Sequence, residues 1–158
     1  MTQWKTGREL PQPLARESDQ REFLLCAALQ QTERVIYFVE IMGFHPDTTF
    51  NNKPTALSYA ATNRDRLLLE HLVGSGADVN HGDGIGLTPL HYAVIGGCDY
   101  CLSYLIGSGA YLNSRAVNGQ TPLALAMHRY GKKHECVSLL LCHGANLSGK
   151  QPGSKQFH

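Results

Sequence analysis

The sequence predicts an all-α repeat fold in which helix-turn-helix pairs stack side by side and share one core. Three observations support this prediction: two short motifs recur with a period of 33 residues, apolar residues cluster between them, and a glycine ends each cluster. A single copy of this length cannot bury its own apolar face, so neighbouring copies have to stack.

The first motif, Thr-Pro-Leu, marks the start of a helix. It begins at Thr88 and again 33 residues later at Thr121, and a degraded copy begins at Thr55. A threonine hydroxyl can cap a helix, and proline suits the first helical turn, where no N–H is needed. Each motif therefore predicts the first helix of a pair, with small residues such as Ala93 where the neighbouring helix approaches.

The second motif, Gly-Ala, marks the end of the second helix in each pair. It begins at Gly76, Gly109 and Gly144, so the last interval is 35 residues and the fourth copy contains two extra residues. Glycine often ends a helix because it adopts the left-handed backbone conformation without steric cost. Counting back 33 residues from Leu57 and Gly76 locates a first copy at Leu24 and Gly43. This copy keeps small and apolar residues but has no Thr-Pro motif.

These intervals divide the chain into a repeat domain, residues 17–149, and two flanking segments. For residues 1–16 we expect either partial disorder or a cap on the first copy, formed by Trp4 and two leucines. The polar residues 150–158 are expected to be a disordered tail. The four repeats are expected at about residues 17–49, 50–82, 83–115 and 116–149.

A 33-residue repeat built around Thr-Pro-Leu-His-x-Ala resembles the ankyrin repeat, and the resemblance covers roughly residues 17–149. It implies an ankyrin-repeat solenoid of stacked helix-turn-helix pairs with projecting β-hairpin loops. It also implies a structural role for Thr88 and His91, whose hydroxyl and imidazole hold the helix start and the adjoining loop. Asn80 and Asn113 are expected to stabilise the loops, and the resemblance leaves open their hydroxylation by the asparaginyl hydroxylase of animal cells.

Composition and charge exclude several classes of function. The chain has 14 basic and 13 acidic residues and a formal net charge of +1, without the basic excess typical of proteins that bind nucleic acids or membrane surfaces. It has no apolar run long enough to span a bilayer, and its N-terminus lacks the apolar core of a signal peptide. We therefore expect a cytoplasmic protein, with the nucleus or a host-cell cytosol as alternatives, that binds neither nucleic acid nor membrane.

The five cysteines, Cys26, Cys98, Cys101, Cys136 and Cys142, are expected to be reduced thiols. Their number is odd and the chain is long enough to bury a core, which argues against a disulfide framework. The C-x-x-C formed by Cys98 and Cys101 can indicate zinc, but both residues occupy regular positions of the repeat. We therefore expect no metal and no cofactor.

No motif predicts catalysis. His91 has no suitably placed serine or cysteine that it could activate as a nucleophile. The glycines from Gly82 to Gly86 lack the spacing of a phosphate-binding loop and lie where a loop tip is expected. The chain is therefore expected not to be an enzyme, and a metal-binding protein or an enzyme is kept as the remote alternative.

The resemblance places partner binding on the concave face, which is formed by the loop tips and the exposed ends of the first helices. Four residues of this face, Ile85, Leu87, Ile95 and Val117, are apolar where the fold does not require it, which indicates a contact patch. An apolar centre with a polar rim is typical of protein-binding surfaces. When the concave-face positions of the family are transferred one by one to this sequence, the whole face comprises Asn51, Asn52, Pro54, Thr62, Asn63, Ile85, Leu87, Ile95, Val117, Asn118, Gln120, His128, Arg129 and Tyr130.

These observations predict a monomeric protein-interaction module or adaptor that binds another protein through this concave groove. Arg129, Lys132 and Lys133 surround an aromatic residue in the longer loop of the fourth copy, and they favour an acidic segment in that partner. The main alternative is an inhibitor or effector that regulates an enzyme or a transcription factor by occluding its surface.

Overall fold

The computed structural model describes residues 16–147, which contain eight α-helices in four consecutive pairs and no β-strand. The helices are α1 (Glu17–Ala28), α2 (Thr32–Glu40), α3 (Ala56–Asn63), α4 (Arg66–Gly74), α5 (Pro89–Gly96), α6 (Asp99–Gly107), α7 (Pro122–Tyr130) and α8 (Glu135–Cys142). The prediction of an all-α repeat fold is confirmed.

The first helices of the second and fourth pairs begin on threonine, as the recurring motif predicts. The hydroxyl of Thr55 accepts a hydrogen bond from the N–H of Ser58 at 3.3 Å. The hydroxyl of Thr121 accepts one from the N–H of Ala124 at 3.1 Å, and Pro122 occupies the first turn. These bonds satisfy backbone donors that the start of a helix leaves unpaired.

The second helices of the last three pairs begin on three different capping side chains. In α4 the carboxylate of Asp65 accepts the N–H of Leu68 at 3.1 Å. In α6 the sulfur of Cys98 accepts the N–H of Cys101 at 3.0 Å. His134 caps α8. The period therefore predicts where these helices begin, whereas the chemistry of each cap depends on the individual residue.

Glycines follow the second helices where the sequence predicts them. Gly76, Gly109 and Gly144 each lie two residues beyond a helix, with φ angles of 98°, 100° and 98°. Such positive angles are strained for residues with a side chain. Each glycine therefore lets the chain leave the helix and enter the next loop.

The four pairs stack into one core with two layers of helices. The first helices α1, α3, α5 and α7 pack against one another in order, and so do α2, α4, α6 and α8. Ala60, Ala93 and Ala126 of the first layer are fully buried, as are Leu69 and Leu102 of the second layer. Small residues in the first layer allow neighbouring helices to approach closely, and the leucines fill the core.

The loops between the pairs are joined to one another at their tips. The carbonyl of Asn52 accepts the N–H of Gly84 at 3.0 Å, and the carbonyl of Ile85 accepts the N–H of Val117 at 2.9 Å. Between residues 16 and 147 these loops contain turns but no strand, in contrast to the expected β-hairpins. The reason is that isolated bonds, such as the one from the N–H of Asp83 to the carbonyl of Leu87 at 3.1 Å, join the two arms of a loop without forming a ladder.

Asparagine side chains link successive loops. The Oδ1 atom of Asn80 accepts the N–H of Tyr111 at 2.7 Å, and the Oδ1 atom of Asn113 accepts the N–H of Asn146 at 2.9 Å. Asn113 is also buried, with 2% of its surface exposed. The expected role of both asparagines in stabilising the loops is confirmed.

Two expectations concern parts of the chain outside the described residues. The N-terminal segment 1–16 lies there except for Arg16, and the expected tail at residues 150–158 lies there entirely. Among the helices of residues 16–147, none is long and apolar enough to cross a membrane.

Candidate functional site

An apolar cavity lies between the loop tips of the third and fourth repeats and the helices that follow them. Its volume is about 390 Å³, and six of the eight residues that line it belong to the predicted contact face. The two that sequence reasoning missed are Ala116 and Leu125. These eight residues, here called the groove, are Ile85, Leu87, Ile95, Ala116, Val117, Asn118, Gln120 and Leu125.

The groove exposes apolar side chains to solvent. Ile85 is 58% exposed and Val117 is 78% exposed, whereas Leu87 and Ile95 are half-buried at the base. The remaining rim includes the polar side chains of Asn118 and Gln120. A contiguous apolar surface with a polar edge, left uncovered by the fold, is typical of a contact site.

Asp83 holds the loop that carries Ile85 and Leu87. Its Oδ1 atom accepts the N–H of Ile85 at 3.0 Å and the N–H of Leu87 at 2.9 Å. Its Oδ2 atom accepts the hydroxyl of Tyr92 in α5. Burial and the neighbouring Asp83 carboxylate raise the pKa of Tyr92, so the phenol remains a donor. The backbone of the loop that carries the two apolar side chains is thus tied to α5 by one carboxylate.

Gly86 brings the loop tips of the third and fourth repeats together. Its φ angle is +80°, and a side chain at this position would begin 3.1 Å from the Cα atom of Ala116. Glycine meets both requirements, since it tolerates the left-handed conformation and leaves room for the neighbouring backbone. Ile85 and Val117 therefore lie side by side at the mouth of the groove.

His91 joins the start of α5 to the next loop. Its Nδ1 atom accepts the N–H of Thr88 at 3.1 Å, so Nε2 carries the proton and donates to the carbonyl of Gln120 at 2.9 Å. Burial lowers the pKa of His91, which favours the neutral ring that this pairing requires. The expected structural role of Thr88 and His91 is confirmed, and it positions Gln120 at the groove.

The predicted contact residues of the second repeat lie outside the groove. Asn51 and Asn52 are exposed at a loop tip with φ angles of 54° and 59°, and Pro54 is half-buried. Thr62 donates its hydroxyl to the carbonyl of Ser58 at 3.1 Å. Asn63 donates its amide to the carbonyl of Ala27 at 3.1 Å and to that of Ala28 at 3.3 Å. The polar groups of Thr62 and Asn63 are therefore engaged within the array.

The fourth repeat places its predicted contact residues at the end of α7. His128 and Arg129 are exposed, whereas Tyr130, expected as an exposed aromatic residue, is half-buried. The Tyr130 hydroxyl donates to the carbonyls of Val94 and Ile95 at 2.9 and 3.1 Å. Its ring also stacks on His134 at 4.1 Å between centroids. Tyr130 therefore anchors the fourth repeat to the third one.

A second apolar cavity, of about 250 Å³, lies between the first and second repeats and was missed by sequence reasoning. It has two cationic residues, Arg21 and Lys53, and the Arg21 guanidinium lies 5.1 Å from the centre of the Phe50 ring. One signal for it exists in the sequence, because Leu25 replaces the polar Ser58 of the next repeat. The cavity is lined by Arg21, Leu24, Leu25, Ala28, Phe50, Lys53 and Tyr59.

The structure corrects the expectation that all five thiols are reduced. Cys98 and Cys101 are joined as a disulfide, with Cα atoms 5.2 Å apart, whereas Cys26, Cys136 and Cys142 are free. The physical reason is local: residues three apart at the start of a helix lie within one turn of each other. Within residues 16–147, no cluster of three or more histidine, cysteine or acidic side chains could hold a metal ion.

Comparison with known proteins agrees with the architecture. Residues 57–151 match the family described as ankyrin repeats in three copies. The chain is also 35% identical over 85 residues to the human protein named SH3 and multiple ankyrin repeat domains protein 2. That alignment covers 53% of this chain and 5% of the relative, so the chain spans a small part of the relative's length.

Proposed function

The chain belongs to the ankyrin-repeat family, and from this premise we propose that it binds another protein through the groove. Ankyrin repeats are generally protein–protein interaction modules and typically not enzymes. The observation that carries the proposal is the apolar surface formed by Ile85, Leu87, Ile95 and Val117 around one cavity.

The free energy available from burying this surface supports the proposal. Burying an isoleucine side chain completely stabilises a complex by about 1.5–3 kcal/mol. Ile85 leaves more than half of its surface in solvent, and Val117 leaves more than three quarters. The backbone at both positions is held before binding by Asp83 and by the hydrogen bond from the N–H of Val117 to the carbonyl of Ile85, so little loop entropy is lost when a partner docks.

The positive charge at the end of α7 supports a partner with an acidic segment. Arg129 in the last turn of α7 and Lys132 in the loop after it are exposed, and Lys133 follows directly. Opposite charges at the edge of an interface mainly increase the rate of association and contribute modestly to affinity. We therefore propose that a monomer of this chain seats apolar side chains of the partner in the groove, with the acidic segment beside α7.

Capture of partners from a lysate of the cells that produce the protein tests the location of the site. Ile85→Asp and Ile95→Asp should abolish recovery of the partner at any salt concentration, because a charge would have to be buried in the contact. Leu67→Asp is the matched control, since Leu67 is 63% exposed on the second helix layer. Equal recovery with all three variants would refute the groove as the binding site.

Charge reversal tests the acidic segment separately. The double variant Arg129→Glu, Lys132→Glu should weaken binding of the captured partner and flatten its dependence on salt, because salt screens the attraction that has been removed. Its stability to urea should match that of the original protein, since exposed charges contribute little to folding. Undiminished affinity at low salt would show that the longer loop plays no part in recognition.

A further inference from the structure

The disulfide lies at the turn between α5 and α6. Cys98 is the capping residue of α6, its sulfur accepts the N–H of Cys101 at 3.0 Å, and Cys101 follows one turn later. Gly97, with a φ angle of 64°, ends α5 directly before this pair. The C-x-x-C pair therefore spans the first turn of α6, directly after the junction with α5.

The repeat does not need this bond in order to form. The equivalent helix of the second repeat begins on Asp65, whose carboxylate accepts the N–H of Leu68 at 3.1 Å. The fourth repeat begins the same helix on His134. Stabilisation by a disulfide increases with the length of the loop that it closes, and this loop has a sequence separation of only 3. Stability alone thus gives little reason for the bond.

The surroundings of the two sulfurs suit thiol chemistry. Cys98 keeps 6% of its surface exposed and Cys101 is fully buried, so an external thiol reaches Cys98 more readily than Cys101. When the bond is reduced, a thiolate at Cys98 keeps the Cys101 N–H as donor and gains from the positive end of the helix dipole.

The free thiol of Cys136, which contacts Asp99 next to Cys98, does not compete with this pair. The sulfur of Cys136 lies 3.6 Å from Oδ1 of Asp99 and is fully buried. Burial and the Asp99 carboxylate raise the pKa of Cys136 to about 12. Cys136 therefore remains protonated near neutral pH, where a thiolate is required for exchange.

We propose that Cys98 and Cys101 form a reversible dithiol–disulfide couple that exchanges with a small-molecule thiol of the glutathione type. In reduction, an external thiolate attacks the Cys98 sulfur, and a mixed disulfide forms while Cys101 leaves as a thiolate and takes up a proton. A second external thiol then cleaves the mixed disulfide, releasing Cys98 as a thiol and the oxidised small molecule. Two external thiols thus supply the two electrons, and the reverse sequence oxidises the pair.

Equilibration of the folded full-length chain in mixtures of reduced and oxidised glutathione tests the proposal. A Cys142→Ser background is used because Cys142 is free and exposed and can itself take up glutathione. After acid quenching, the thiols are alkylated under denaturing conditions and counted by mass spectrometry with peptide mapping. We expect Cys98 and Cys101 to become alkylated together as reduced glutathione increases, with the same curve from the oxidised and the reduced starting material.

Two results of this titration would overturn the proposal. If both residues are alkylated even in a large excess of oxidised glutathione, no couple forms. If neither is alkylated in a large excess of reduced glutathione, the bond is a fixed structural element. The proposal is independent of the partner, because the titration requires no binding.

Single variants test which sulfur is attacked. In Cys101→Ser the less buried Cys98 should form a mixed disulfide with oxidised glutathione at least tenfold faster than Cys101 does in Cys98→Ser. Both variants should fold, and serine is itself a good capping residue for α6 in Cys98→Ser. Equal rates in the two variants would refute Cys98 as the reactive sulfur.

Discussion

Removal of one hydroxyl group should loosen the contact between the third and fourth repeats. Tyr130 donates to the carbonyls of Val94 and Ile95 at 2.9 and 3.1 Å, and Tyr130→Phe removes this donor while keeping the ring. The Val94 carbonyl keeps a second partner, the N–H of Gly97 at 3.0 Å. The loss should therefore be close to the net value of one hydrogen bond, about 1 kcal/mol of unfolding free energy.

Urea unfolding followed by circular dichroism measures this loss of free energy. In a thermal scan, the melting temperature should fall by about 2–4 °C. Tyr111→Phe is the matched control: Tyr111 is 57% exposed, and its substitution should change the free energy of unfolding by less than about 0.5 kcal/mol. If Tyr130→Phe unfolds at the same urea concentration as Tyr111→Phe, the hydroxyl does not hold the repeats together. Tyr130 would then be free to contact a partner.

Three further predictions follow from the core, the groove loop and the buried histidine. Ala93→Leu should lower the free energy of unfolding in urea by about 1–3 kcal/mol or more, because Ala93 is fully buried. This loss should be far larger than that of Val117→Ala at an exposed loop tip, and similar losses would contradict close packing. Asp83→Ala leaves the N–H groups of its loop without their acceptor, so hydrogen exchange at Ile85 should accelerate at least tenfold; unchanged exchange would refute the role of Asp83. Because the pKa of His91 is lowered in the folded state, its contribution to the free energy of unfolding should be full above pH 6.5 and decrease as the pH falls below that value. This dependence, measured as unfolding free energy against pH, should be absent from His91→Asn, and an identical profile would contradict the assignment.

Much of the groove is predictable because equivalent positions of a stacked repeat share the same surroundings. The period alone places Ile85 and Val117 at neighbouring loop tips and Ile95 on the first helix between them. Apolar residues at positions that do not serve the core are then candidates for contact. All three side chains line one cavity in the structure.

Other features depend on individual side chains, and the period of the repeat does not predict them. Asn63 and Tyr130 lie near the ends of first helices, yet each reaches carbonyl groups of the preceding repeat. The sequence identifies both positions as surface but does not reveal where their polar groups bind. The cavity beside Leu25 and Phe50 was missed because the first repeat has no Thr-Pro motif. Only small and apolar residues then indicate how the first repeat aligns with the others.

The bond between Cys98 and Cys101 was missed for a different reason. The odd number of cysteines argues against a framework of disulfides between distant parts of the chain, and that argument does not apply to two cysteines on one helical turn. The C-x-x-C spacing can indicate zinc, whereas at a helix start it also suits a disulfide.

Site-specific photocrosslinking tests the claim that the groove binds another protein. A photoreactive phenylalanine analogue is introduced in place of Val117, at the mouth of the groove, or in place of Leu67, which is 63% exposed on the second helix layer. Each protein is then irradiated in the cells that produce it. We predict one discrete protein adduct from position 117 and none from position 67. An adduct from position 67 alone, or no adduct from either position, would contradict binding through the groove.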